Sequence, residues 1–266
     1  MRRETLSLGQ VQTRVCTWGE PGNLPVIALH SAGLDATSLE RFAVIAAASD
    51  YFVLAPDLRG HGESEAAPHQ VSLADMAEDV VDMAQQFSLK RPRLLGISLG
   101  GIVAGLVAAA APERWTNLTV FCSPDQGYET FRDRAVATEQ GMQSLMEETL
   151  HRWFTEDDIR SQTDFVVSAQ QTLARMDPAC WDALWRDFAD FTGWRAACAL
   201  DVLCVSGGSD KSTPPEKVGL IADVLKGRHV TISSAPHLLL ISHAQQAFHL
   251  WQKFTEQWCR SSDHCL

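Results

Sequence analysis

The sequence predicts an α/β protein: a mostly parallel sheet with helices on both faces and one long helical insertion. Three observations carry this. Short uninterrupted apolar runs, such as Pro25-Val26-Ile27-Ala28-Leu29, alternate with segments of helical period. From about residue 124 to 197 the strand pattern is absent and helical patterns follow one another. After that the strand–helix alternation resumes. A strand covered on both faces loses its apolar/polar alternation, and such strands separated by amphipathic helices form parallel sheets. The expected division is a core of residues 1–123 and 198–266 with a helical lid of residues 124–197. A chain of 266 residues, 45% hydrophobic, is ample for such a core.

In chain order, residues 4–8 and 11–18 read as two strands joined by the Gly9-Gln10 turn. The strand from Pro25 is broken at Ser31-Ala32-Gly33, and a helix over residues 38–48 follows. A strand at 51–55 leads into Asp57-Leu58-Arg59-Gly60-His61-Gly62-Glu63-Ser64, too polar and glycine-rich for a regular element. Ser72 caps a helix, with Asp75 in the capping-box position, and Leu73, Met76, Val80, Met83, Ala84 and Phe87 mark its buried face. Residues 94–97 form a strand, and the helix after it runs until Pro112 stops it. Residues 118–122 form the last strand before the insertion. There, helical patterns cover 141–154, 159–176 and 178–191, and half of the eight tryptophans lie in it: Trp153, Trp181, Trp185 and Trp194. Strands at 202–206 and 229–233 and helices at 214–225 and 244–258 complete the chain.

Composition narrows the function classes. The net charge of −11 and the lack of a basic run argue against nucleic acid or an anionic membrane surface as partner. No run of about 18 apolar residues predicts a membrane span. Arg2 and Arg3 are followed by polar residues, so no signal peptide is expected. The seven cysteines are odd in number and lack a C-x-x-C, which fits free thiols in a reducing cytoplasm. Cys259 and Cys265 could pair, in what reads as a frayed tail. His, Cys and Asp show no metal-ligand spacing, so neither a metal nor another cofactor is expected. The oligomeric state is left open.

The chemistry centres on Gly96-Ile97-Ser98-Leu99-Gly100, a G-x-S-x-G turn between a buried strand and a helix. Small residues two before and two after the serine let strand and helix pass closely, with the hydroxyl standing clear of the sheet. The helix start offers free N–H groups to a developing oxyanion. A serine nucleophile needs a base, and the base an orienting carboxylate. Both belong in loops at the C-terminal ends of later strands. Asp210 lies in such a loop, with Thr213 and Pro214 read as cap and first residue of the next helix. Of the histidines that follow, His229 opens a strand and His243 starts the final helix. His237 follows its strand by one short loop and is the expected base, with His243 the alternative. The oxyanion N–H groups are expected from Leu99 and from Ala32, with Ser31 one register away.

Taken together, these segments resemble the α/β-hydrolase fold enzymes from end to end: His30–Gly33, Asp57–Ser64, Gly96–Gly100, Gly208-Ser209-Asp210 with Thr213-Pro214-Pro215, and Pro236-His237. Within that superfamily the chain is similar to 3-oxoadipate enol-lactonases, through Phe131, Arg134, Gly141-Met142 and Leu150-His151-Arg152-Trp153-Phe154-Thr155. It departs from the common pattern at Ser31, often Gly, at Pro236, often Gly or Ser, and in the short run from Gly193 to Leu200. The resemblance implies a serine hydrolase acting on a small carboxylic ester or lactone. The same triad serves C–C bond hydrolases, thioesterases and methyl-ester hydrolases. A catalytically inactive receptor or interaction module of this fold is the reading from outside enzymology.

Phe131, Trp153, Trp181 and Trp185 are expected to roof a small apolar pocket, or simply to pack within the lid. Arg134 or Arg132 is expected either to bind a substrate carboxylate, which an enol-lactone carries, or to lie on a solvated helix face. The insertion holds fourteen Asp/Glu against seven Arg and no Lys, which disfavours long-range steering of an anion.

Overall fold

The computed structural model describes residues 1–136, 141–195 and 200–261, apart from the side chains of residue 136 and residues 257–261. The proposed lid boundary at 197/198 and the Cys259–Cys265 pairing lie outside what is described. The strands are β1 (Arg2–Leu8), β2 (Val11–Trp18), β3 (Leu24–Leu29), β4 (Tyr51–Pro56), β5 (Arg93–Ile97), β6 (Asn117–Phe121), β7 (Asp201–Gly207) and β8 (Arg228–Ile232). They form one sheet in the order β1-β2-β4-β3-β5-β6-β7-β8. The pairs β1–β2 and β2–β4 are antiparallel and all the others parallel. This is the predicted mostly parallel sheet.

The topology positions the site. From β3 the chain crosses to β4 on one side, and from β5 it crosses to β6 on the other. The carboxyl ends of neighbouring β3 and β5 therefore open a crevice at the point where the winding reverses. The segments after those ends are His30–Gly33 and the Ser98 turn.

The core helices are α1 (Glu40–Ala47), α2 (Leu73–Gln86) and α3 (Leu99–Ala110). The Ser72 hydroxyl accepts from the Asp75 N–H at 3.0 Å, so α2 starts where the capping pattern predicts. Its Leu73, Met76, Val80, Met83 and Ala84 are buried. Tyr51, Phe42, Phe248 and Trp251 form one aromatic cluster, in edge-to-face and tilted pairs, with ring centroids 4.7–6.3 Å apart.

Between β6 and β7 the described residues contain helices and no strand. These are α4 (Phe131–Val136), α5 (Met146–Trp153), α6 (Glu156–Arg160), α7 (Asp164–Ala174) and α8 (Pro178–Ala189). Two details differ from expectation. Residues 142–145 form a 3-10 turn ahead of α5. The helix predicted over 159–176 is two helices. A Thr155–Asp158 capping box starts α6. Gln162 adopts φ 46°, a left-handed stop before α7. The chain closes with α9 (Pro215–Leu225), a short α10 (Leu239–Ser242) that the sequence did not reveal, and α11 (Ala244–Ser261). Among the described residues no helix is long and apolar enough to cross a membrane.

Candidate active site

Ser98 sits between β5 and α3 with φ 56° and ψ −115°, a strained geometry for a residue with a side chain. The glycines explain how the turn fits. A Cβ at Gly96 would meet the Gly100 carbonyl oxygen at 2.0 Å, and one at Gly100 would meet the Leu29 carbonyl oxygen at 2.2 Å. Neighbouring strand ends hold the turn in place. The Ser98 N–H donates to the Phe121 carbonyl at 2.9 Å, and the Gly100 N–H to the His30 carbonyl at 3.1 Å. The Ser123 hydroxyl donates to the Ser98 carbonyl at 2.8 Å. Such supports let a strained turn persist.

Asp210 and His237 come together from the loops after β7 and β8. His237 Nδ1 lies 2.9 Å from Asp210 Oδ2, both side chains almost wholly buried. The carboxylate is held at both ends. Oδ1 accepts the Ser212 and Thr213 N–H groups at 2.7 and 2.9 Å, and Oδ2 accepts the Thr213 hydroxyl at 2.7 Å. Burial acts to raise the Asp210 pKa. The His237 charge and hydrogen bond, with those from Thr213, outweigh burial and hold the carboxyl below its ordinary range. Thr213 thus serves Asp210. Pro214 is the helix cap and Pro215 the first helical residue, one position later than expected. The Asp210 bond to Nδ1 puts the imidazole proton there and leaves Nε2 as an acceptor. Among the described residues neither Ser98 Oγ nor His237 Nε2 has a hydrogen-bond partner, and the two are not bonded to each other.

The other histidines lie elsewhere. His229 is exposed on β8 with Nε2 2.9 Å from Ser206 Oγ. His243, the alternative base, is half-buried between α10 and α11 with Nδ1 2.9 Å from Ser242 Oγ.

Among the described residues neither the Leu99 nor the Ala32 N–H has an acceptor. His30 and the Asp57–Ser64 loop brace the Ala32 turn. His30 donates from Nδ1 to the Ser31 carbonyl and accepts the Leu58 N–H at Nε2, both at 2.9 Å. Burial pushes its pKa down to about 4, so it is neutral, as that pattern requires. Asp57 accepts the Ala36 and Glu63 N–H groups, each at 2.8 Å, and pairs with buried Arg14 at 2.9 Å. His61, against His30, is pushed to about 3, chiefly by burial.

Above the crevice, Trp153 and Trp181 crowd Gly33, where a Cβ would lie 3.1 Å from each ring. The Trp153 carbonyl also accepts the Leu238 N–H at 3.2 Å, which ties α5 to the His237 loop. Trp185 lies one ring behind Trp181, at 5.4 Å, and stacks with Phe131 at 5.4 Å. Arg134 lies over both Trp185 and Phe131, 4.6 and 4.9 Å from their centroids. Among the described residues its guanidinium has no ion-pair partner and no hydrogen-bond acceptor; the nearby Glu148 carboxylate is paired with Arg152. Burial, then the nearby Arg152 charge, pushes its pKa down to about 10. The buried Trp185 Nε1–H also lacks an acceptor. Arg132 is instead committed to Glu129 and Asp190. A solvated helix face therefore describes Arg132 but not Arg134.

One group of potential ligand atoms forms in space that linear spacing does not show. Cys122, Asp210 and His237 each bring one potential ligand atom within 4.8 Å of the others. The register that joins β6 to β7 creates this group, which linear spacing cannot reveal. Its carboxylate and imidazole are already bonded to each other and to Thr213.

Comparison with known proteins fixes the family. Residues 25–244 match the model of the alpha/beta hydrolase fold family. The chain belongs to the α/β-hydrolase fold family. It is similar to 3-oxoadipate enol-lactonase 2 of Acinetobacter baylyi, 24% identical over 93% of this chain and 94% of the relative. It is also similar to the pimeloyl-[acyl-carrier protein] methyl ester esterase of Pectobacterium carotovorum, 30% identical over 89% of this chain and 93% of the relative. The crystal structure of the enol-lactonase from Burkholderia xenovorans superposes with a TM-score of 0.87 at 23% identity, covering 94% of this chain and 99% of that one.

Proposed function

We propose that this α/β-hydrolase cleaves a small carboxylic ester or lactone that carries a free carboxylate. The observation that carries the reaction is the bonded Asp210–His237 pair on the same sheet edge as a strained Ser98 and two N–H groups that have no acceptor among the described residues. His237 Nε2 takes the Ser98 proton as Oγ attacks the carbonyl carbon. Asp210 keeps the imidazole tautomer fixed and stabilises the imidazolium. The Leu99 and Ala32 N–H groups bind the tetrahedral oxyanion. Collapse re-forms the carbonyl and breaks the bond from its carbon to the alkoxy or enol oxygen, and His237 gives that leaving oxygen the proton. Water, deprotonated by His237, then attacks the acyl-Ser98 ester and releases the acid.

The helical segment over this edge acts as a lid. Arg134, a half-buried cation between two aromatic faces, and the Trp185 N–H supply two donors for the substrate carboxylate. Trp153 and Phe131 shape the apolar part of the pocket. The enol-lactonase and methyl-ester-esterase relatives support an ester or lactone carbonyl over other acyl groups. No step calls on a metal or organic cofactor, a membrane or a nucleic acid. The buried free thiols Cys16, Cys122, Cys180 and Cys204 suit a reducing compartment such as the cytoplasm.

The test is turnover of p-nitrophenyl acetate with Ser98→Ala as control, followed by a panel of lactones, short esters, thioesters and vinylogous diketones, each with and without a carboxylate. The expected result is Ser98-dependent turnover with carboxylate-bearing lactones or esters preferred. Faster diketone than lactone cleavage would point to C–C bond hydrolysis. Absence of turnover would favour a non-catalytic module.

A further inference from the structure

The end of β6 meets the site at two places, the Ser98 turn and the Asp210 carboxylate. The register sets Phe121 opposite both Ile97 of β5 and Val205 of β7, so the residues after it run between the Ser98 turn and the Asp210 loop. Phe121 and Ser123 bond to Ser98. Cys122, between them, turns the other way. Its N–H donates to the Val205 carbonyl at 2.9 Å, and its φ of 45° breaks the strand alternation in a conformation that disfavours a side chain. The side chain is fully buried, with Sγ, an Asp210 oxygen and a His237 nitrogen within 4.8 Å of one another.

We propose that Cys122 is a positioning residue: its thiol donates to the Asp210 carboxylate and limits the negative charge that carboxylate presents to His237. This rests on the triad reading above. Burial, followed by the adjacent Asp210 charge, pushes the Cys122 thiol well above its usual range, so it faces the carboxylate as S–H and not as a second anion. Asp210 already accepts two N–H groups, a hydroxyl and the imidazole. Each donor draws charge from the carboxylate and makes the imidazolium less stable. Sulfur is a weak donor. A thiol here adds a fifth, weak donor beside those four and takes less of the carboxylate's charge than a hydroxyl would.

The test is the pH profile of kcat/KM for p-nitrophenyl acetate in wild type, Cys122→Ala and Cys122→Ser, with melting temperatures alongside. Loss of the donor in C122A strengthens Asp210's hold on the imidazolium, so the acidic limb moves up by about 0.5 pH unit. C122S returns the limb to the wild-type position or below it. A limb unmoved in C122A, whatever happens to melting temperature or plateau rate, overturns the proposal and leaves Cys122 as packing. A C122S limb that moves up with that of C122A overturns it too. Should C122A not fold, the His237 Nδ1–H proton resonance decides between wild type and C122S. It shifts if the donor acts on Asp210, and coincidence of the two resonances overturns the proposal. Wild type without turnover, or an active Ser98→Ala, would instead mean that the triad reading has failed.

Discussion

Replacing Asp210 by Asn changes one atom, and the surrounding donors dictate the consequence. Oδ1 accepts the Ser212 and Thr213 N–H groups at 2.7 and 2.9 Å. An amide NH2 there would face two donors, so the Asn oxygen must take that end. The NH2 then takes the Oδ2 end, against the Thr213 hydroxyl and His237 Nδ1. The hydroxyl can rotate to accept. The imidazole adapts only by moving its proton to Nε2, and it then has no lone pair for the Ser98 hydroxyl. In Ser-His-Asp proteases the same exchange costs about 10⁴ in kcat through the wrong tautomer. The same orienting geometry here predicts a similar loss, about 5 kcal/mol of barrier. The assay is steady-state p-nitrophenyl acetate hydrolysis at pH 8 in wild type and Asp210→Asn, with circular dichroism to confirm the fold. A folded variant that retains a tenth or more of wild-type kcat would refute the reasoning.

Three further outcomes follow from the structure. Arg134→Met should raise KM for carboxylate-bearing substrates about 10- to 100-fold, the cost of one charge-assisted contact. Neutral esters should change little, and equal effects on both would remove the carboxylate role. Gly100→Ala forces a Cβ to 2.2 Å from the Leu29 carbonyl oxygen, so calorimetry should show a melting point lower by roughly 10 °C, about 3 kcal/mol of overpacking; an unchanged melting point would contradict the elbow packing. His30 and His61 are held at about 4 and about 3 against an unfolded value of 6.5, so below pH 6.5 the unfolded chain binds more protons and stability falls as pH drops. At pH 5 each histidine should cost about 2 kcal/mol relative to pH 7, read as a lower urea midpoint. A midpoint that rises on acidification would show that these rings are not buried and neutral.

The parts legible in the sequence are those with local causes. Apolar runs without alternation located β3 to β7, and Ser72 marked the start of α2 because capping is settled within four residues. Gly96 and Gly100 read correctly because the close passage of strand and helix admits only small residues. The hidden parts depend on which strands become neighbours. Cys122 looked like the last residue of an apolar run, and only the β6–β7 register sets it beside Asp210. Thr213 read as a helix cap because its loop resembles one. Its hydroxyl instead reaches back three residues to the carboxylate. The split of α6 from α7 was invisible because both halves share a helical period and the stop falls on Gln162, a residue type with no turn preference. Arg134 and Arg132 are two residues apart and indistinguishable by composition. Packing separated them, giving Arg132 two carboxylates and Arg134 two aromatic faces.

The most direct test of the central claim is covalent labelling with a serine-directed fluorophosphonate, read by peptide mass spectrometry. The account predicts one adduct, on Ser98, formed rapidly in wild type, absent in Ser98→Ala, strongly slowed in His237→Ala and unaffected in His243→Ala. Folded wild type that takes no label, or an adduct on any other residue, would contradict it.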